Sequence, residues 1–207
     1  MKVMLMILLI LLTVACKNNP KQSIRNDSSS LDTSKTVTYQ IQNHYHPFDT
    51  IPFVGYLNDS KLDASVISYC RGDFHIAPDK RTLKFLEMIS TKKDKYFPIY
   101  FAVFNNILNN SDGAISEIMG PYCFNFVITY PNEVLKHFIT DKKDLYLYTM
   151  FLGAEFYFKS RNITDIKLNF GEFKKYLDEK LDSNNIEIRN ISHIFYTKID
   201  SMMKEMD

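Results

Sequence analysis

Two histidines that flank a single tyrosine are the residues of this sequence best suited to bind a metal ion. In an extended segment, His44 and His46 lie on the same side of the chain, because successive side chains alternate between two faces, and imidazole nitrogens are common Zn²⁺ ligands. Asp49 follows closely, and His75 could supply a further ligand. The same pair equally suits surface or partly packed histidines. Because no third ligand is defined, we assign no metal and no cofactor.

Glu155 is a second candidate for chemistry, since it lies in the most apolar stretch of the chain. A carboxyl group buried there could act as a general acid or base. Alternatively, Glu155 lies on an exposed stripe of a helix, or pairs with Lys159 four residues on. The surrounding aromatic residues could line a ligand groove, but a packed core is the commoner arrangement; they are Tyr146, Tyr148, Phe151, Phe156, Tyr157 and Phe158.

The common signatures of enzymes are absent from the sequence. It has no G-x-S-x-G, no P-loop, no H-E-x-x-H, no paired Cys-x-x-Cys and no dinucleotide-binding fingerprint. We therefore assign no catalytic residue, and the sequence points away from an enzyme without excluding one. The formal net charge is +1, so the chain lacks the excess of positive charge that is typical of a nucleic-acid-binding protein.

The first sixteen residues have the layout of an export signal. Lys2 provides a positive start, residues 3–12 are uniformly apolar, and Thr13-Val14-Ala15-Cys16 follows. The apolar run is shorter than the roughly 20 residues that a membrane-spanning helix needs. This stretch resembles a bacterial lipoprotein signal peptide, in which a small residue precedes a cysteine that is lipidated and becomes the mature N-terminus. The resemblance implies that Cys16 is the lipid attachment site; an ordinary secretory signal cleaved after Ala15 is the alternative.

The resemblance also divides the chain and suggests a location. It implies a signal peptide at 1–15 and a lipid-anchored flexible tether at 16–36, and the length and helical signals of the remainder predict a single helical domain at 37–207. The tether is polar and has little to bury, as in flexible spacers. No acidic residue directly follows Cys16, so we expect a cell-envelope protein that is anchored in the outer membrane and faces the periplasm.

Cys70 and Cys123 are the other two cysteines. In an oxidising compartment they could form one disulfide, but two cysteines 53 positions apart define no geometry. Two buried thiols on helices are the alternative, because cysteine is among the most frequently buried residues.

The domain is predicted to be mainly α-helical, with antiparallel helical hairpins stacked as a bundle or a short α-solenoid. Residues 36–42 alternate like a strand and are expected to form an extended N-terminal arm, followed by an irregular apolar segment at 43–58. Helices are predicted, from apolar periodicity, capping residues and proline positions, at 59–69, from Asp79 to beyond Ile89, and at 96–108, 114–130 (bent or split at Gly120-Pro121), 131–140, 145–158, 170–181 and 186–203.

One internal similarity suggests a repeat. The segments 89–101 and 139–151 agree at six of thirteen positions, and both contain Lys-Lys-Asp. Helical pairs at this spacing are similar to HEAT-like repeats, although chance agreement in a chain rich in Lys, Asp and aromatic residues is the alternative.

Together these features predict a lipid-anchored cell-envelope protein that acts as a protein-interaction module. Its partners would be the membrane, through the lipid on Cys16, and a protein of the envelope. An immunity-type lipoprotein that neutralises a toxin is one alternative. A small-ligand or metal-binding protein, with or without enzymatic activity, is another, with His44, His46 and Glu155 as its residues.

Overall fold

The computed structural model describes residues 51–161 and 169–207 of the 207-residue chain. This part contains ten helices and no strand, which confirms the prediction of a mainly α-helical bundle. The helices are α1 (Ile51–Leu57), α2 (Ala64–Cys70), α3 (Lys80–Thr91), α4 (Phe97–Asn110), α5 (Gly113–Ser116), α6 (Gly120–Thr129), α7 (Pro131–Thr140), α8 (Lys142–Arg161), α9 (Phe170–Lys180) and α10 (Ile186–Glu205). The signal segment, the tether and the predicted arm lie outside the described residues.

The helices begin where capping residues and prolines stand in the sequence. Asp79 accepts a hydrogen bond from the backbone N–H of Thr82 at 2.8 Å and so caps α3. Asn169 caps α9, and its own backbone N–H donates to Oε2 of Glu172 at 3.0 Å. Prolines occupy the first turns of α4, α6 and α7, where the missing N–H has no intrahelical partner to lose. These local signals explain why most predicted helices match the observed ones within a few residues.

The N-terminal helices differ from the prediction. The segment expected to be irregular contains α1, in which Phe53, Tyr56 and Leu57 pack against the core; this i, i+3, i+4 spacing places them on one helix face. α2 begins at Ala64 rather than near residue 59, because Asp63 is the cap and Asp59 is instead hydrogen-bonded to Lys61 N–H within a turn.

The predicted helix at 114–130 is two helices in the structure. Asp112 caps the short α5 through the N–H of Ile115, and α6 starts afresh at Gly120. Pro121 cannot donate the hydrogen bond that a continuous helix requires at that position, so the break follows from the sequence. Gly72 has φ +81° just after α2, a conformation that glycine adopts without strain.

α8 is the central helix of the bundle and packs against α4, α6, α7 and α10. Aromatic rings fill the space between these helices. Tyr148 of α8 lies edge-on to Phe138 of α7 at 5.0 Å between ring centroids, and Phe138 contacts Phe195 of α10 at 5.5 Å. All three are completely buried. Helices α8 and α10 approach closely at Gly153, which lies opposite Met202.

The two similar segments do not have the same structure. In the first, Lys92–Lys95 forms the loop between α3 and α4, and Tyr96 is buried. In the second, the matching Lys142–Leu145 is already the first turn of α8, and the matching Tyr146 is 49% exposed. Both segments join two consecutive helices, but the connection is five residues long in the first and one residue long in the second.

No helix within 51–161 or 169–207 is both long enough and apolar enough to cross a membrane.

Candidate functional site

A histidine and two aspartates converge where α7 ends and α8 begins. A single residue, Asp141, separates the two helices, so His137 in the last turn of α7 lies beside Asp144 in the first turn of α8. The Nε2 atom of His137 is 2.7 Å from Oδ2 of Asp144 and 4.0 Å from Oδ2 of Asp141. The three ligand atoms lie within 4.8 Å of one another. We call these three residues the His–Asp–Asp cluster.

The second oxygen of each carboxylate is held by a hydrogen-bond donor. The side-chain amide of Asn109 on α4 donates to Oδ1 of Asp144 at 2.8 Å, and the same amide nitrogen donates to the carbonyl of Asn105 at 2.8 Å. The backbone N–H of Asp144 donates to Oδ1 of Asp141 at 2.8 Å, which caps α8. Each carboxylate therefore directs its other oxygen, Oδ2, towards the imidazole of His137.

Burial differs across the cluster. The side chain of Asp144 is 5% exposed, whereas those of His137 and Asp141 are 30% and 42% exposed. The cluster thus has a buried inner ligand and an open outer side. The ring of Phe101 meets the imidazole edge-on at 5.0 Å between centroids, which fixes the plane of the histidine ring.

The cluster holds more negative than positive charge. Among the described residues, no lysine or arginine nitrogen lies within 4.0 Å of either carboxylate, and His137 is their one basic partner. Lys142, although adjacent, donates to the carbonyl of Phe138 instead. The charge of Asp144 also acts on its surroundings: burial raises the pKa of the Cys123 thiol and of the Tyr148 hydroxyl well above their usual values, and Asp144 adds to both effects.

Sequence reasoning missed this cluster. His137 and Asp141 belong to no motif of the sequence, and Asp144 belongs only to the second Lys-Lys-Asp segment. The available signal is the spacing i, i+4, i+7, which marks one face of a helix. This spacing identifies the cluster only once two further features are known. These are the helix break at Asp141 and the position of Asn109 on another helix.

The residues that the sequence put forward for metal binding or acid–base chemistry do not join the cluster. Cys16, His44, His46 and Asp49 lie outside the described residues. His75 is exposed and lines a separate groove of about 270 Å³ between the α2–α3 loop and the α4–α5 loop. Glu155 is half-buried and its Oε2 lies against Gly120, at the start of α6.

The cysteines and aromatic residues lie in the core. Cys70 at the end of α2 and Cys123 in α6 are buried thiols in the structure. Four of the six aromatic residues of the predicted run are buried, whereas Tyr146 and Phe158 are 49% and 57% exposed; the buried four are Tyr148, Phe151, Phe156 and Tyr157. The run therefore serves packing.

A second polar feature is an open groove of about 550 Å³ between α2 and α3. Its floor contains Phe74 and Phe85, whose ring centroids are 4.7 Å apart. Three exposed cations from the first turns of α3 line it, namely Lys80, Arg81 and Lys84. The guanidinium of Arg81 lies 4.0 Å above the centroid of the Phe74 ring. We call this feature the basic groove.

The basic groove has little internal charge compensation. Within the described part of the chain, none of its three cations has a carboxylate within salt-bridge distance. The one acidic residue in its lining is Asp63, whose Oδ1 accepts from the N–H of Ser65 as the cap of α2. A groove of this kind attracts a negatively charged group of a ligand. Its aromatic floor lies beneath the cations.

The chain matches no protein-family model, no curated protein and no solved structure.

Proposed function

We propose that this protein is a lipid-anchored binding module of a bacterial cell envelope, which uses the basic groove to hold an acidic segment of a partner protein. The observation that carries the proposal is the combination, at one open groove, of two buried aromatic rings and three exposed cations that form no salt bridge with the described residues. The anchor is Cys16, followed by the polar tether at 16–36. The location is the outer membrane, facing the periplasm.

The chemistry of the groove favours a peptide segment with carboxylates beside an apolar residue. The cations supply long-range attraction and register, which raise association rates and exclude basic partners. Phe74 and Phe85 are 4% and 3% exposed, so they form a packed floor that supports the cations above it. Arginine is enriched among the residues that dominate binding energy at protein interfaces. The groove thus combines an apolar floor with a charged rim, the general layout of a protein interface.

Lipid attachment is tested by metabolic labelling of the full chain with a radioactive or clickable fatty acid in a bacterial host. We expect label on the protein, loss of label in Cys16→Ala, and unchanged label in the matched control Cys70→Ala. Equal labelling of all three proteins, or of none, would contradict lipidation at Cys16 and leave a secreted protein without an anchor.

Groove binding is tested by affinity capture from gently solubilised envelope, with the charge-reversed variant Lys80→Glu/Lys84→Glu. The matched control is Lys175→Glu/Lys198→Glu, which reverses two exposed lysines on α9 and α10. Two exposed ion pairs contribute about 0.4–2 kcal/mol together, so their loss alone weakens capture by about 2- to 30-fold.

The supporting result is a partner whose capture falls in the groove variant, persists in the control and weakens with salt, and whose cross-linked segment is acidic. A partner that is captured equally by both variants would contradict the groove as the binding surface. A vesicle of anionic lipid that binds in a groove-dependent manner, in place of a protein, would show that the groove serves the membrane instead.

A further inference from the structure

We propose that the His–Asp–Asp cluster is a metal site, in which His137, Asp141 and Asp144 bind a divalent transition-metal ion of the Zn²⁺ class. The site is independent of the basic groove, since it lies at the junction of α7 and α8 and none of its residues lines the groove. Imidazole nitrogens and carboxylate oxygens are both common ligands of such ions.

The distances suit an ion of this size. In a tetrahedral site with bonds of about 2.0–2.1 Å, two ligand atoms lie about 3.3 Å apart. The distances from Nε2 of His137 to the two Oδ2 atoms are 2.7 and 4.0 Å, and all three atoms fall within 4.8 Å. The outer two ligands are partly exposed, so small side-chain rotations bring all three to bonding distance.

Hydrogen-bond donors around the cluster orient the two carboxylates, as they do in known metal sites. Ligating carboxylates in metalloproteins are themselves hydrogen-bonded, and these outer partners fix the geometry. Here Asn109 holds Oδ1 of Asp144, and the N–H of Asp144 holds Oδ1 of Asp141. Both Oδ2 atoms are thereby left to converge on His137.

Charge provides an independent reason for a cation. A buried carboxylate is costly unless it is paired or coordinates a metal, and Asp144 is 5% exposed with a second carboxylate close by. A single imidazole offsets at most one of the two negative charges. A divalent ion offsets both, and the exposed side of the cluster leaves it a coordination position for water or for another donor.

The test is titration of the full, detergent-solubilised chain, first freed of metal by a chelator, with ZnCl₂ by calorimetry. Co²⁺ absorption spectroscopy then reports the coordination geometry. We expect one ion per chain at this site. Asp141→Asn keeps the helix cap, since asparagine caps as well as aspartate, but removes an anionic ligand. Loss of an outer partner alone weakens binding by about 10- to 100-fold, so we expect loss of a direct ligand to weaken it by at least about 100-fold.

Three controls separate this site from others. His137→Gln should weaken binding by at least about 100-fold, as Asp141→Asn does. Asp79→Asn changes another helix cap, on α3, and should leave binding unchanged. His44→Ala/His46→Ala removes the histidine pair that the sequence put forward and should also leave binding unchanged. Circular dichroism verifies that each variant is folded.

The proposal is overturned if the wild-type chain binds no Zn²⁺, or if Asp141→Asn and His137→Gln bind it as tightly as the wild type. It is also overturned if binding disappears only in His44→Ala/His46→Ala, because the ion would then sit on the N-terminal histidines.

Discussion

Gly153 is the position at which one added methyl group should reveal how closely α8 and α10 are packed. This glycine is buried in the middle of α8. A Cβ atom at this position would lie 2.7 Å from Cβ of Met202 and 3.4 Å from the carbonyl oxygen of Ile199. Carbon atoms in contact prefer about 3.5–4.0 Å, and a Cβ atom cannot rotate away, so α10 must move.

Two opposing effects determine the magnitude. Alanine favours a helix interior over glycine by about 0.5–1 kcal/mol. Overpacking a core by one methyl group costs about 1–3 kcal/mol. We therefore expect Gly153→Ala to lower the free energy of unfolding by about 1–2 kcal/mol. For a chain of this length, this corresponds to a fall in Tm of about 2–8 °C.

The matched control is Gly55→Ala in α1, where an added Cβ meets no atom within 4 Å. At this position alanine should contribute only its higher helix propensity, which stabilises the protein by about 0.5–1 kcal/mol. Both variants are compared with the wild type by urea denaturation, with the requirement that the m-value stays constant. Adding Met202→Ala to Gly153→Ala should not restore stability, because alanine retains the Cβ atom that collides.

The reasoning is refuted if Gly153→Ala stabilises the protein as much as Gly55→Ala does. That result would mean that α8 and α10 are farther apart than the structure has them, or that α10 shifts without cost.

Two further predictions concern polar contacts. Lys95 Nζ lies 2.7 Å from Oδ2 of Asp59, and this hydrogen bond, with that from Lys61 N–H, lowers the pKa of Asp59 to about 2. Folding therefore favours the ionised form of Asp59, and the resulting stability is present above pH 4 and is lost as the pH falls through about 2. In Lys95→Ala, ¹³C NMR should show the pKa of Asp59 rising towards 3.8. An unchanged pKa would contradict Lys95 as the cause of the shift. The buried hydroxyl of Tyr148 donates to Oδ1 of Asn105 at 3.0 Å. Tyr148→Phe should lower the free energy of unfolding by about 1–3 kcal/mol, because it leaves a buried acceptor without its donor. If denaturant unfolding shows no loss of stability, water reaches Asn105.

Most of the helices could be predicted because their limits depend on residues only a few positions apart. The starts of α3 and α7 follow from Asp79 and Pro131, and the break between α5 and α6 follows from Pro121. α1 was not predicted because its short apolar face is stabilised by packing onto the rest of the core, which no local signal reports. Isolated helices of this length are marginal in water.

The candidate sites were less accessible to sequence reasoning. The basic groove depends on Phe74, which lies in the loop before α3 and is brought beside Phe85 by the fold. The sequence places Lys80 and Lys84 on a helix that begins after Asp79. Their role as the rim of a groove depends on what packs beside that face.

By itself, the sequence determined the helical class and most helix limits, and the lipid proposed on Cys16 rests on its resemblance to a lipoprotein signal alone. Such features are local: capping, proline geometry and apolar periodicity act within one or two helical turns. Only the tertiary structure decided that His137, Asp141 and Asp144 meet and that Asn109, 35 positions from Asp144, orients them. The convergence of side chains from different helices depends on how those helices pack, and the packing is determined by the core as a whole.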